Sequence, residues 1–247
     1  MSGHSKWSQI KRQKGVADKK RGQTFTKLSN AITIAVRDGG GIGDPDQNFR
    51  LRLAIEKART VNMPKENIER AIHKAQGKLE GEDIQEVVYE GFGPGGVAII
   101  VEAATDNKLR TNSDVKTIFE KNGGTLGVPG TVAYQFQNNG LLTVKKAGKS
   151  LDDIFLIAAD AGAADVEEAG DAVFVYTNPN QLMVVKNALV VSGLAIEGFE
   201  LIRRPVVSVA INDKEKATRV LQLLEKLEEL DDVQKVYTNV DIPDGLI

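Results

Sequence analysis

Three groups of residues in this 247-residue chain have the types and spacings to do chemistry. The first is the run GHSKWSQIKRQKGVADKKRGQTFTKL, Gly3 to Leu28, with eight Lys or Arg against one Asp and the chain's only Trp. Cations at that density repel one another unless an outside anion relieves them. Lys6, Lys11, Arg12, Lys14, Lys19, Lys20, Arg21 and Lys27 therefore read as a grip on nucleic-acid phosphates. Neutralising about five phosphates makes log K fall with log salt at a slope of about −4 to −5 on duplex DNA, and less on single strands. Trp7, beside Lys6, either offers a flat face to a base, worth about 1–3 kcal/mol, or docks on neighbouring helices as a staple. The residues leave both readings open.

The second group is glycine. Gly91, Gly93 and Gly96 in GFGPGGV match the spacing of a dinucleotide fingerprint. That fingerprint works through a helix N-terminus whose free N–H groups hold the pyrophosphate. Here a Val/Ile-rich strand pattern follows instead, and Pro94 has no N–H to give, so the segment reads as a hairpin turn. The third group is the carboxylates of DVEEAGD (Asp165 to Asp171) and EKLEELDD (Glu225 to Asp232). They read as solvated helix or hairpin edges, with no pair split into acid and base roles. A ligand cleft edged by Glu90, Asp106 or Arg110 is the rival, enzymatic reading. His4 and His73 have no second histidine at ligand spacing, and Glu69, one helical turn from His73, is its natural ion-pair partner. The expectation is a protein without catalytic residues, metal, cofactor or small-molecule substrate.

The composition, 41% hydrophobic and 27% charged, is that of an ordinary folded chain, and 247 residues allow one large domain or two to three small ones. No cysteine is present, which excludes disulfides, thiolate metal sites and cysteine nucleophiles. The most apolar stretches, 97–104 and 182–196, fall short of the roughly 20 residues of a membrane span. The chain reads as cytoplasmic, with no membrane partner. Its net charge of −2 conceals an asymmetry: residues 1–80 hold 17 Lys or Arg against 8 Asp or Glu, and the rest hold 15 against 26. A basic head on an acidic body points to a polyanionic partner for the head.

The elements that must position these residues follow from periodicity. Residues 1–23 have few apolar positions beyond Trp7 and Ile10 and read as a mobile basic tail. From 24 to 80 the three-and-four spacing of a helical domain takes over. Phe25, Leu28, Ala31, Ile32 and Ala35 line a helix that ends at Gly39 to Gly41. Leu51, Ala54, Ile55, Ala58 and Val61 line a second over about 47–62. Ile68, Ala71, Ile72 and Ala75 line a third, with Pro64 at its first position and Gly77 after its end. Arg52 and Arg59 stand opposite the second apolar face, either in a ladder with Glu56 or as an extension of the basic surface. Met63 and Lys65 flank Pro64. Either Met63 fills a gap in the core, or the turn presents a thioether and a cation to RNA.

Beyond Gly81 the period becomes that of strands. Strands are expected over 84–92 and 97–104, a helix over 112–122 and a strand over 131–136. A similar cycle follows near the end, with strands over 206–211 and 233–240 around a helix over 217–230. Between them, 140–204 has its own series of strand, helix, two strands around Gly170, helix and strand. The fold class is α+β with three domains: a helical domain and two α/β sandwich-like domains, one inserted into the other. The expected boundaries are 24–80, 81–138 plus 205–247, and 139–204.

Several blocks also carry a resemblance: GHSKW with the following DKKRGQTFTKL, DPDQNFRLRLAIEKARTVNMPKENIERAI, YEGFGPGGVAIIVEAATDNKLRT and GGTLGVPGTVAYQF. In this order, over nearly the whole chain, they resemble the YebC/PmpR family of probable transcriptional regulators. Mitochondrial relatives of that family are translational activators of cytochrome c oxidase. The resemblance implies a three-domain architecture and a non-enzymatic role in gene expression. Two mechanisms compete within it: binding promoter DNA as a transcription regulator, and binding the ribosome to help translation through difficult stretches such as consecutive prolines. A Gly-interrupted basic tail grips phosphates but carries little base information, and a tail of this kind suits the exposed bases and phosphates of ribosomal RNA. The shared reading is a DNA- or RNA-binding regulator of gene expression.

Overall fold

The computed structural model describes residues 21–77 and 84–246, which form seven α-helices and ten strands in an α+β arrangement. Contacts divide the described chain into two compact units, one of residues 21–133 with 213–236, the other of 134–212 with 237–246. No described helix is long and apolar enough to cross a membrane.

The first unit opens with three helices, α1 (Arg21–Asp38), α2 (Phe49–Thr60) and α3 (Lys65–Ala75). Leu28, Ile32, Ala35 and Val36 of α1 pack with Leu51, Ile55 and Ala58 of α2 and Ile68 and Ala71 of α3 in one cluster, where Phe25, Ala54, Val61, Ile72 and Ala75 are partly buried. Full burial of each large aliphatic side chain contributes about 1.5–3 kcal/mol. The apolar spacing anticipated this packing. Pro64 sits one position outside the expected first helical residue, as an extended N-cap (ψ 142°) that starts α3 without donating.

A four-stranded sheet follows, ordered β3-β1-β2-β9. It consists of β1 (Gln85–Gly93), β2 (Val97–Thr105), β3 (Thr125–Leu126) and β9 (Val233–Thr238), with α4 (Lys108–Lys121) and α7 (Lys214–Glu229) as its helices. β1 and β2 form an antiparallel hairpin pairing Gly93 with Val97. Pro94–Gly96 make the turn, with Gly95 and Gly96 at φ of 79° and 77°, values cheap only for glycine. The fingerprint spacing is thus a hairpin, as its sequence context indicated. The near-continuous apolar run of β2 matches its burial: every residue but Glu102 is buried. Gly91 and Gly93, near Phe119 and Leu223, share a face with Val97 and Ile99. The alternate residues Ala98, Ile100 and Ala104 are equally inaccessible, and α1 packs on β2.

The second unit is built on another four-stranded antiparallel sheet, ordered β5-β6-β4-β7. Its strands are β4 (Phe136–Lys145), β5 (Asp165–Ala169), β6 (Ala172–Thr177) and β7 (Ile196–Pro205), with helices α5 (Leu151–Asp160) and α6 (Leu182–Val191). Two short strands, β8 (Val209–Ala210) and β10 (Val240–Asp241), pair in parallel. Arg204 of β7 lies over the Tyr176 ring and pairs with Asp165 and Glu167 of β5, fastening one side of the sheet. The DVEEAGD carboxylates are therefore not simply a solvated edge.

Four expected elements differ. Of 131–136 only Phe136 is strand, as the first residue of β4: the backbone N–H groups of Gly130, Val132 and Ala133 are taken by Glu90, and Ala133–Gln135 form a 3-10 turn. Of 206–211 only Val209–Ala210 is strand, and 233–240 breaks at Asn239, whose carbonyl accepts from Val209. The helix expected over 112–122 begins at Lys108, because the Asn107 side chain caps it by accepting from Arg110 N.

Gly140 of β4 is a packing requirement: a Cβ there would collide with Thr177 Oγ1 and stand 2.9 Å from Leu182 Cδ1, whereas one at Gly198 meets nothing within 4 Å. Gly140→Ala is expected to cost about 1–3 kcal/mol and Gly198→Ala under about 0.5 kcal/mol, measured as shifts in the urea midpoint.

Candidate nucleic-acid interface

The scaffold of the basic region is set where α1 ends and α2 begins. Asn48 caps α2 by accepting from Leu51 N at 3.0 Å, and its amide donates to the carbonyls of Ala35 (2.8 Å) and Ile42 (3.1 Å). One buried side chain thus satisfies three backbone groups and fixes the turn between the helices. Arg50 pairs with Asp38 and reaches Glu86 of β1. Arg37 donates to the Ile84 carbonyl.

Of the expected phosphate-binding residues, Lys6, Trp7, Lys11, Arg12, Lys14, Lys19 and Lys20 lie outside the described residues. Arg21 is the first residue of α1. Lys27, one and a half turns further, is half-buried and donates from Nζ to the Glu228 carbonyl at 2.6 Å, near the C-terminal end of α7. A cation is favoured there by the exposed carbonyls of the last helical turn. Gln23 donates to Asp231 on the same side. The first turns of α1 are therefore seated against the EKLEELDD segment.

The extension residues separate. Arg52 forms no ladder with Glu56; its guanidinium donates to the carbonyls of Pro45 (2.9 Å) and Asp46 (2.8 Å) and holds the loop before α2. Arg59 stands exposed with no acidic partner among the described residues, and so does Arg70 on α3. Met63 does not present its thioether: it is 6% exposed and belongs to the helical core, drawn in by its N–H bond to the Ala58 carbonyl after Asn62 at φ 56°. Lys65 stays at the surface, paired with Glu69 at 3.4 Å. Glu69 thus takes Lys65 as its ion-pair partner, in place of His73.

The residues of the rival ligand cleft are engaged inside the first unit. The Glu90 carboxylate is buried and accepts N–H groups from Gly130, Val132 and Ala133, each at 2.8 Å. Asp106 and Arg110 belong to a network at the start of α4. Arg110 bonds Asp106 and Asp232, and Asp232 also accepts from the Thr111 hydroxyl (2.6 Å) and the Thr105 hydroxyl (3.2 Å). The bonds to Asp232, then those to Asp106, raise the Arg110 pKa above its ordinary value. Burial, with the Asp232 charge second, pushes the Tyr89 phenol up as well. Glu90 and Asp232 were legible in the sequence only as carboxylates. A short Gly/Pro-containing loop able to bring three N–H groups to one point, GVPGTVA, was the signal for Glu90. Nothing local marked Asp232, whose partners lie over 120 positions away. Among the described residues there is no His/Cys/Asp/Glu group arranged to hold a metal ion.

Two predictions follow from these contacts. Glu90→Gln turns an amide NH2 toward backbone donors and is expected to cost about 2–3 kcal/mol, with faster amide exchange confined first to 127–133. Met63→Ala should cost about 2–5 kcal/mol and Lys65→Ala no more than about 0.5 kcal/mol, both from urea denaturation. Equal costs would contradict the opposite placements of the two side chains.

Comparison with known proteins agrees with this architecture. A family model described as the TACO1/YebC protein N-terminal domain matches residues 5–78, and one described as the TACO1/YebC second and third domain matches 84–240. A protein of Chloroflexus aurantiacus named "Probable transcriptional regulatory protein" is 51% identical over 249 aligned residues, covering 100% of this chain and 98% of its own. One of the same name from Syntrophomonas wolfei is 46% identical, covering 100% and 99%. The crystal structure of a conserved hypothetical protein from Aquifex aeolicus superimposes with a TM-score of 0.84 at 45% identity, over 92% of this chain and 93% of that one. With family models spanning nearly its whole length and relatives about half identical to it, the chain belongs to the TACO1/YebC family.

Proposed function

We propose that this protein is a non-enzymatic, nucleic-acid-binding regulator of gene expression, acting in the cytoplasm. Residues 6–21 grip phosphates, and Arg59 and Arg70, exposed and without an acidic partner among the described residues, add positive charge from the helical region. The observation that carries this reading is the charge separation: 17 Lys or Arg against 8 Asp or Glu in residues 1–80, and 15 against 26 in the remainder. A segment so charged gains free energy from a polyanion through counterion release, while the acidic remainder is repelled and stays off it. The relatives' name, probable transcriptional regulatory protein, supports duplex DNA as the target.

A second reading, ribosomal RNA as the target, has its own observation. α2 and α3 are joined by a four-residue turn, the spacing of a helix-turn-helix. Yet the first turns of α3 carry Glu66 and Glu69, both exposed, and Glu69 occupies Lys65. A recognition helix with two carboxylates at its leading end is repelled by the phosphates flanking a major groove. Phosphate gripping without base readout suits a folded RNA surface.

Co-sedimentation with ribosomes and electrophoretic shift of promoter-length duplex DNA, each at about 50 and about 200 mM salt, separate the two. The comparison is with a full chain carrying Gln at Lys6, Lys11, Arg12, Lys14, Lys19 and Lys20. The proposal requires the wild-type chain to bind at least one target and the Gln variant to lose about one unit of log–log salt slope per phosphate contact removed. Binding to neither target, or a slope unchanged in the variant, would refute it. Ribosome binding that persists at the higher salt favours the RNA reading, and sequence-dependent DNA binding favours the transcriptional one.

A further inference from the structure

The helical layer of the second unit carries a concentration of exposed large apolar side chains. α5 and α6 pack on each other and turn Ile154 and Ala158, and Leu182, Val185 and Leu189, inward. Their outward residues are apolar too: Phe155, Leu156, Val184, Val190 and Val191, with Leu156 61% and Val191 88% exposed. Val184 and Val191 lie two turns apart on one helix face. These five are among eleven large hydrophobic side chains exposed over the whole described chain, yet they fall on two helices of ten residues each. Scattered exposed apolar residues need no explanation, whereas such a concentration marks an interaction surface.

Charge decides the occupant. The charged residues of α5 are Asp152, Asp153 and Asp160, all exposed, and Lys149 precedes the helix beside Asp153. The one charged residue of α6, Lys186, lies over the Phe199 ring at 3.8 Å from its centroid. A second copy docking through this face would bring two sets of α5 carboxylates together with no exposed cation on α5 or α6 to answer them, and a polyanion would be repelled. What fits is an apolar centre rimmed by positive charge.

We propose that the outward face of α5 and α6 is a docking surface for a protein partner presenting an amphipathic helix with a Lys/Arg rim. Phe155 and Leu156 serve as anchors, with Val184 and Val191 alongside them. Docking there gives the protein a second, protein-binding function.

The test uses the full chain and two fluorescent peptides of helical period, LKKLLKLLKKLLKL and its glutamate counterpart LEELLELLEELLEL, at about 100 mM salt. Anisotropy should show the lysine peptide binding at least tenfold tighter. Amide shift changes should be confined to 151–160 and 182–193. Leu156→Lys with Val191→Lys should weaken binding at least tenfold, and Gln222→Lys, at an exposed position of α7, should leave it unchanged. Because both substituted side chains point outward, the variant should keep its melting temperature; if it does not, Val191→Lys alone serves. Equal affinity for the two peptides, shifts located elsewhere, or unchanged affinity in the variant would overturn the proposal. So would displacement of the lysine peptide by an oligouridine bound to this same face, or a concentration-dependent dimer abolished by Leu156→Lys. Peptide affinity and the 151–160 and 182–193 shifts do not depend on the ribosome or DNA binding of residues 6–21, so failure here and failure of the regulator reading are distinguishable.

Discussion

The first unit depends on the burial of β2 on both faces. A strand covered on one side alternates apolar and polar residues, and VAIIVEAAT does not; it must be covered twice. Phe119 and Leu223 lie on the side of Gly91 and Gly93, and α1 packs on the strand from the helical region. The helical region is thereby joined to the sheet. The same requirement brings the start of α1 to the end of α7, where Lys27 meets the Glu228 carbonyl and Gln23 meets Asp231. The described end of the basic run, residues 21–28, therefore lies beside the acidic EKLEELDD stretch.

Within that frame the carboxylates act mainly as acceptors for groups that would otherwise be unpaired. Glu90 takes three backbone N–H groups of a loop that has no strand partner. Asp232 joins the turn after α7 to the turn before α4, through side-chain bonds to Thr105, Arg110 and Thr111 and a carbonyl bond from Ala104 N. Asp165 and Glu167 hold Arg204 against Tyr176. Low dielectric makes an unmatched group costly in such places and a matched one valuable. Charge of this kind is structural even though in the sequence it looks like surface.

The cations are divided differently. Arg37, Arg50 and Arg52 bond to backbone carbonyls or carboxylates of their own unit, while Arg59 and Arg70 face solvent. Arg52 and Arg59 lie two turns apart on one short helix, yet only the first has a loop within reach of its guanidinium. The second unit presents the reverse chemistry, an apolar helical face edged by aspartates.

The sequence by itself determined the α+β class, the three N-terminal helices with their inward residues, the hairpin at Gly93 to Val97 and the strand–helix series of 140–204. These depend on local periodicity and on φ preferences that a few neighbouring residues impose. It also determined the charge separation, which is a property of composition. Only the tertiary structure decided that Met63 is core and Lys65 surface, that Arg52 is occupied by a loop, that Asn107 starts α4 early and that 130–133 is pinned by Glu90 instead of forming a strand. Each of these turns on which backbone N–H or carbonyl is left unpaired after packing. That is settled by elements up to about 200 positions apart, as Lys27 and Glu228 are, and no local pattern encodes it.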